Sequence, residues 1–330
     1  MTHLSDYSFL HRGVGLIYVY IWFIHRIRLT QGFDCLYPSK FRRGELKSIV
    51  TLLVLFMIPF QLYYDIASTR VKYDEGMVSI LGHIVTKPDI LWTKADRNLI
   101  TPTDYSLCVG FSLQIGTLLL LQCFWKYLAK LVAGARFMSS KEFKFYIIMT
   151  LVNIILFPII QFNFSRDFYD STYKEVMPQF VYGIELFIIS ILGGVSHFRF
   201  KRLLGKSKDK DDGQFITHKM RYFQDLNLLL SVALFLFASC FIILCTDALT
   251  GQKRINKNKF LSDFFICNVN ILSVVIWTTV ILIFHPKKKF EEPHKSYLST
   301  NNTYTGSVLS SIAEDEEHKG LNSSTSNSNK

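Results

Sequence analysis

Glu185 stands in the middle of the apolar run 177–197, with no Lys or Arg within one helical turn of it. A carboxyl group so placed is costly in lipid unless it faces the interior of a helix bundle, and such acids are functional candidates by default. It would serve as a counter-charge for a cationic ligand, as a proton-sensitive group, or as a hydrogen-bonding anchor between helices. Amides at helical spacing extend the pattern. Gln114 and Gln122 share one helix face, Asn153 and Gln161 repeat their interval, and Asn270, Ser273 and Trp277 fall at i, i+3 and i+7. Amides of this kind contact a polar ligand or join helices, the second role contributing about 0.6 kcal/mol each. Asp247, like Gln61 and Asp65, lies at the end of an apolar run, where the mouth of a pocket would be. The sequence therefore predicts a site for an unknown ligand drawn from Glu185, Gln114, Asn270, Trp277 and Asp247.

The remaining reactive residues point to modification rather than catalysis. The six cysteines include no CxxC, and the histidines show neither HxxxH nor HExxH spacing, so no metal, cofactor or catalytic residue is predicted. Cys245 and Cys267 flank one short polar connection and are a candidate disulfide in an oxidising compartment. Cys35 is a candidate for acylation. Asn163-Phe164-Ser165 is a glycosylation sequon. Ser310 and Ser311 precede an acidic run, Glu314 to Glu317, where added phosphate would make a docking epitope.

Positioning these groups takes helices that cross a bilayer. A chain that is 49% hydrophobic with 29 Phe reads as an all-α integral membrane protein. Its predicted form is a seven-transmembrane helix bundle over 1–286 with a disordered C-terminal tail over 287–330. Six clear spans run about 46–66, 105–126, 145–164, 177–197, 226–247 and 262–285, each close to the ~20 residues that cross a ~30 Å hydrocarbon core. A seventh, about 9–25, carries His11 and Arg12 at its start and His25-Arg26-Ile27-Arg28 after its end. That ending resembles a stop-transfer flank rather than a cleavage site; an interfacial helix is the alternative. Lys and Arg concentrate after the first, third, fifth and last spans, as in Arg26, Arg28, Lys40, Arg42 and Arg43 or Arg199, Lys201 and Arg202. The positive-inside rule then puts the N-terminus outside and the C-terminus in the cytoplasm. The net charge of +11 is explained by membrane lipid headgroups at these span ends, with no need for nucleic acid. The same basic inner loops are a candidate contact for a cytoplasmic signalling protein.

Between the spans, Met77, Val78, Ile80, Leu81, Ile84 and Val85 recur at helical spacing, which predicts a short amphipathic helix ending at Lys87-Pro88. Pro59 and Pro158 predict kinks, and Gly193-Gly194 a flexible point. No repeat or pair of matching halves is visible of the kind transporters often show.

In span count, orientation, loop charge and Ser/Thr-rich tail, the chain resembles the G-protein-coupled receptors. The resemblance is one of topology. The third span ends Cys123-Phe124-Trp125-Lys126-Tyr127, without the acidic-Arg-Tyr triplet. The last ends Leu282-Ile283-Phe284-His285-Pro286, without Asn-Pro-x-x-Tyr, and it contains no lysine for a retinal Schiff base. No family residue is carried over. The resemblance implies a sensor in the plasma membrane or secretory pathway and not an enzyme. A small transporter or ion pathway using Glu185 is the alternative. A membrane hydrolase built on His197, His285 and Asp225, and a non-signalling scaffold, are weaker rivals.

Overall fold

The computed structural model describes residues 6–30, 32–42, 45–80, 83–87, 91–132, 140–166, 168–169, 171–207 and 213–286. The predicted tail, including Ser310 and Ser311, lies outside the described residues.

Apolar runs of this length close their backbone hydrogen bonds internally as helices, and helices dominate the fold. In chain order they are α1 (Asp6–Thr30), α2 (Pro38–Arg42), α3 (Leu46–Glu75), α4 (Lys94–Val132), α5 (Ser140–Phe164), α6 (Ser171–Ser207), α7 (Gly213–Leu249), α8 (Arg254–Lys257) and α9 (Lys259–Phe284), with a 3-10 turn at Gly32–Leu36. Six of them, α3 to α7 and α9, are long and apolar enough to cross a membrane. That composition is compatible with a multi-pass integral membrane protein. α1 is not among the six, because charged and polar residues close on both ends of its apolar stretch.

Cross-helix contacts give an up-and-down bundle. Arg12 near the start of α1 meets Asp65 toward the end of α3, Gln161 late in α5 meets Asp104 early in α4, and Asn270 in α9 meets Ser8 in α1. All of these lie at the end where α1 begins, here named the upper end. At the lower end Arg26 of α1 meets His285 after α9, and Trp125 of α4 meets Phe200 of α6. The central pillar is α4, whose apolar window is 89% buried; α5 lies on the outside with only 22% buried. Its exposed face carries Phe145, Ile148, Leu151, Ile155, Ile159 and Phe162. A contiguous apolar surface of that size is unusual in water and ordinary in lipid.

Between α3 and α4 the predicted amphipathic helix is absent. Two antiparallel strands, β1 (Met77–Ile80) and β2 (His83–Thr86), pair Val78 with Val85 and Ser79 with Ile84. The segment is rich in β-branched residues, which fit a pleated pair better than a single helical turn or two. Gly76, at φ 60°, makes the sharp exit from α3 that lets the strands begin. Glu75 then clips the connection: Lys87 Nζ and the Thr93 backbone N–H each donate to its carboxylate at 2.5 Å. The helices also run on through Pro59, Pro158 and Gly193-Gly194 without interruption. Gly193 is a point of close packing rather than of flexibility. A Cβ there would collide with Ser231 Oγ, and Asn227 Nδ2 of α7 donates to the Gly193 carbonyl at 3.0 Å.

Candidate functional site

The upper half of the bundle holds a cavity between α1, α3, α4, α6, α7 and α9, roofed in part by Asn256 of α8. It offers about 90 Å³ to the centres of water-sized molecules. At ~10–15 Å³ per water centre, that is room for several waters or one small organic molecule. α5 takes no part in it.

One wall is aromatic. Phe111 stacks on Tyr182 at 4.0 Å between ring centroids, Phe237 stacks on Phe241 at 5.6 Å, and Phe9 meets Tyr64 edge-on. Tyr182 and these Phe residues all line the cavity. Their spacing along α4, α6 and α7 puts them on the inward stripe of each helix.

The other wall is polar, and its centre is an ion pair. Arg12 Nε and Nη2 both donate to the same oxygen of Asp65, Oδ1, at 2.9 and 2.5 Å. The second carboxylate oxygen, Oδ2, has no protein partner although Asp65 is wholly buried. Arg12 also lies 5.6 Å from the ring centroids of both Phe9 and Tyr64, so its planar charge is packed between aromatic faces. Beside the pair runs a relay of neutral groups. Tyr182 donates its hydroxyl to Gln114 Oε1, and Gln114 Nε2 donates to Gln61 Oε1 at 3.3 Å. Across the cavity, Asn270 spends its Nδ2 on the Ser8 carbonyl at 3.0 Å and leaves Oδ1 unpartnered.

The predicted site residues separate into three groups. Gln114 and Asn270 line the cavity, together with Ser273. Asp247 does not line it, but builds its rim: its carboxylate accepts the backbone N–H groups of Ile255 and Asn256 at 3.0 and 2.8 Å and the Asn256 side chain at 2.9 Å. Glu185 and Trp277 are away from it. Glu185 is half-buried on α6 with Oε2 unpartnered, and Trp277 is a core residue deeper along α9. Cys245 is buried against the cavity while Cys267 is exposed, and both are free thiols. Cys35 is buried, and Asn163 is exposed in the last turn of α5.

Arg12, Tyr64 and Tyr182 are the residues that sequence reasoning missed, as was the pairing of Asp65 with Arg12. A basic residue inside an apolar run was present as a signal, but it read as a flaw in the first span rather than as half of a pair.

The lower half is closed. Phe124, Trp125, Phe223 and Phe284 mesh at 5.4 to 6.4 Å between ring centroids. Below them His285 joins three helices. Its Nδ1 lies 3.2 Å from Thr30 Oγ1, its Nε2 lies 3.1 Å from Thr51 Oγ1, and its carbonyl accepts Arg26 Nε at 2.8 Å. His197 and Asp225 do not approach it: among the described residues, no three His, Cys, Asp or Glu side chains gather as a metal site.

No protein family, curated protein or solved structure matches the chain.

Proposed function

We propose that the protein is a seven-span, receptor-like membrane protein that binds a small ligand in the upper cavity, with its N-terminus outside and its C-terminus in the cytoplasm. The cavity carries this reading: a partly polar hollow between six helices in the upper half of the bundle, above a lower half filled by packed rings. The positive-inside rule makes the upper end the outer one. The role of α1 as a span draws support from its reach. It runs 25 residues, from Asp6 to Thr30, roughly 37 Å at 1.5 Å per residue and enough to cross a ~30 Å hydrocarbon core. Its one intramembrane charge at the upper end, Arg12, is paired. The basic lower ends, which include Arg199, Lys201 and Arg202, are where a signalling partner would dock.

The receptor reading is preferred to transport because Glu185, the proposed carrier, does not line the cavity. The test combines topology with binding. Epitope tags at each terminus, probed in intact cells, should show an outside N-terminus and an inside C-terminus. A small-molecule screen by thermal shift should return stabilisers whose effect disappears in Ala248→Phe, which fills the cavity. Both termini on the cytoplasmic side, or stabilisers indifferent to Ala248→Phe, would overturn the proposal.

A further inference from the structure

The cavity's own chemistry narrows what it accepts, a step that rests on reading it as a ligand site. Among the described residues that line it, the full charge is Arg12, paired to Asp65 behind it; Lys72, whose Nζ lies 5.1 Å from the Phe9 ring, does not line it. An anion that captured Arg12 would leave the wholly buried Asp65 carboxylate without its cation. A cation drawn to Asp65 would displace Arg12 in the same way. Breaking a buried pair from one side is strongly unfavourable, so the site discriminates against net charge of either sign. The neutral groups are arranged differently. Gln114 is held from both sides by Tyr182 and Gln61, so it shapes the wall more than it offers valences. Asn270 is 2% exposed, lines the cavity and has an acceptor oxygen that no protein group fills. A buried acceptor left empty costs about 1–3 kcal/mol, which a ligand's N–H or O–H would recover. Phe111, Phe237 and Phe241 line the same hollow.

We infer that the cavity takes an uncharged amphipathic molecule about the size of a single ring with one polar group, which donates a hydrogen bond to Asn270 Oδ1 and lays its apolar face on the aromatic wall.

Cys245 lines the cavity and reports on it without any engineered label. The full-length protein in lipid nanodiscs is treated with three methanethiosulfonates, neutral methyl, ammonium-ethyl and sulfonato-ethyl. Modification of Cys245 is followed by peptide mass spectrometry and normalised to each reagent's rate with free glutathione. Cys123, buried in the lower half and away from the cavity, controls for reagent that partitions through lipid. The neutral reagent should modify Cys245 at least about tenfold faster than either charged one, as the cost of breaking the pair requires. Benzamide should slow that reaction, benzoate and benzylammonium at equal concentration should not, and Asn270→Leu should abolish the protection by benzamide.

Equal rates for a charged reagent, or protection by benzoate or benzylammonium, would overturn the assignment of an uncharged ligand while leaving the cavity a binding site. Neutral-selective labelling that benzamide does not slow would overturn the hydrogen bond to Asn270. If Cys245 reacts no faster than Cys123 even with the neutral reagent, the cavity is closed to small molecules, and the binding-site reading falls with the inference.

Discussion

The two halves of the bundle use the same helices and a similar stock of residues to opposite ends. In the upper half, aromatic rings line a hollow, and polar groups retain unfilled valences at Asp65 Oδ2 and Asn270 Oδ1. In the lower half, rings from α4, α7 and α9 interlock, and both ring nitrogens of His285 meet threonine hydroxyls. The upper half thus has a hollow in which to gain contacts, while the lower half is filled by rings, although Trp125 Nε1 there also lacks a partner. Stability and function are then expected to respond differently to substitutions in the two halves, and the experiments below order those responses by size.

The largest effect should come from the upper ion pair. Asp65→Ala leaves the Arg12 guanidinium in an apolar wall with no counter-charge, which should cost about 3–5 kcal/mol. The double variant Arg12→Leu/Asp65→Leu removes both charges and should recover most of that loss. Thermal unfolding of the three proteins in one detergent gives the answer. A double variant no more stable than the single one would show that the pair acts through something other than its charges.

Next comes the seam between α6 and α7. Gly193→Ala pushes a Cβ against Ser231 Oγ and should destabilise by about 1–3 kcal/mol, the usual range for overpacking. Ser231→Gly in the same chain should relieve it. Gly194→Ala is the internal control, because nothing lies within 4 Å of its added carbon. Unequal melting temperatures for the two alanine variants would confirm a contact rather than a hinge; equal ones would restore the hinge.

The lower cluster comes third. His285→Ala removes both ring contacts, to Thr30 and Thr51, and should cost about 1–2 kcal/mol. His285→Gln, whose amide can still reach a threonine hydroxyl, should cost less. Thermal unfolding of the two variants gives the answer. Equal losses would show that the ring acts through its packing against Phe23 and not through its hydrogen bonds.

How much of this was legible in the sequence follows from the range of the interactions. The six long spans were readable because each is a continuous local property of about 20 residues, although the helices run further at most ends than the apolar runs do. α3, for example, continues from the predicted end near residue 66 to Glu75. The hairpin at Met77–Thr86 was misread because a few apolar residues satisfy a period of 3.6 as easily as a paired strand, and only the partner strand decides between them. The ion pair was out of reach for a similar reason. Arg12 and Asp65 are 53 residues apart, and no local pattern ties one to the other. Asn270 and Gln114 were found because amides in apolar runs are rare enough to stand out; Phe111 and Phe237 were not, being two among 29 Phe.

The smallest effect should belong to the residue that the sequence made most prominent. Glu185 is half-buried on α6 and does not line the cavity, whereas Tyr182 and Gln179 of the same helix do, and Tyr182 donates to Gln114. Glu185→Gln should therefore leave the protection of Cys245 by benzamide unchanged, whereas Tyr182→Phe, which removes the hydroxyl that steadies Gln114, should weaken it by a few-fold, the worth of about one hydrogen bond. The two positions are less than one turn apart on the same helix, so any general disturbance of α6 would affect both variants. A loss of protection in Glu185→Gln equal to that in Tyr182→Phe would mean that the carboxyl group reaches the ligand after all, and that the upper half is organised around an acid on α6 as well as the pair between α1 and α3.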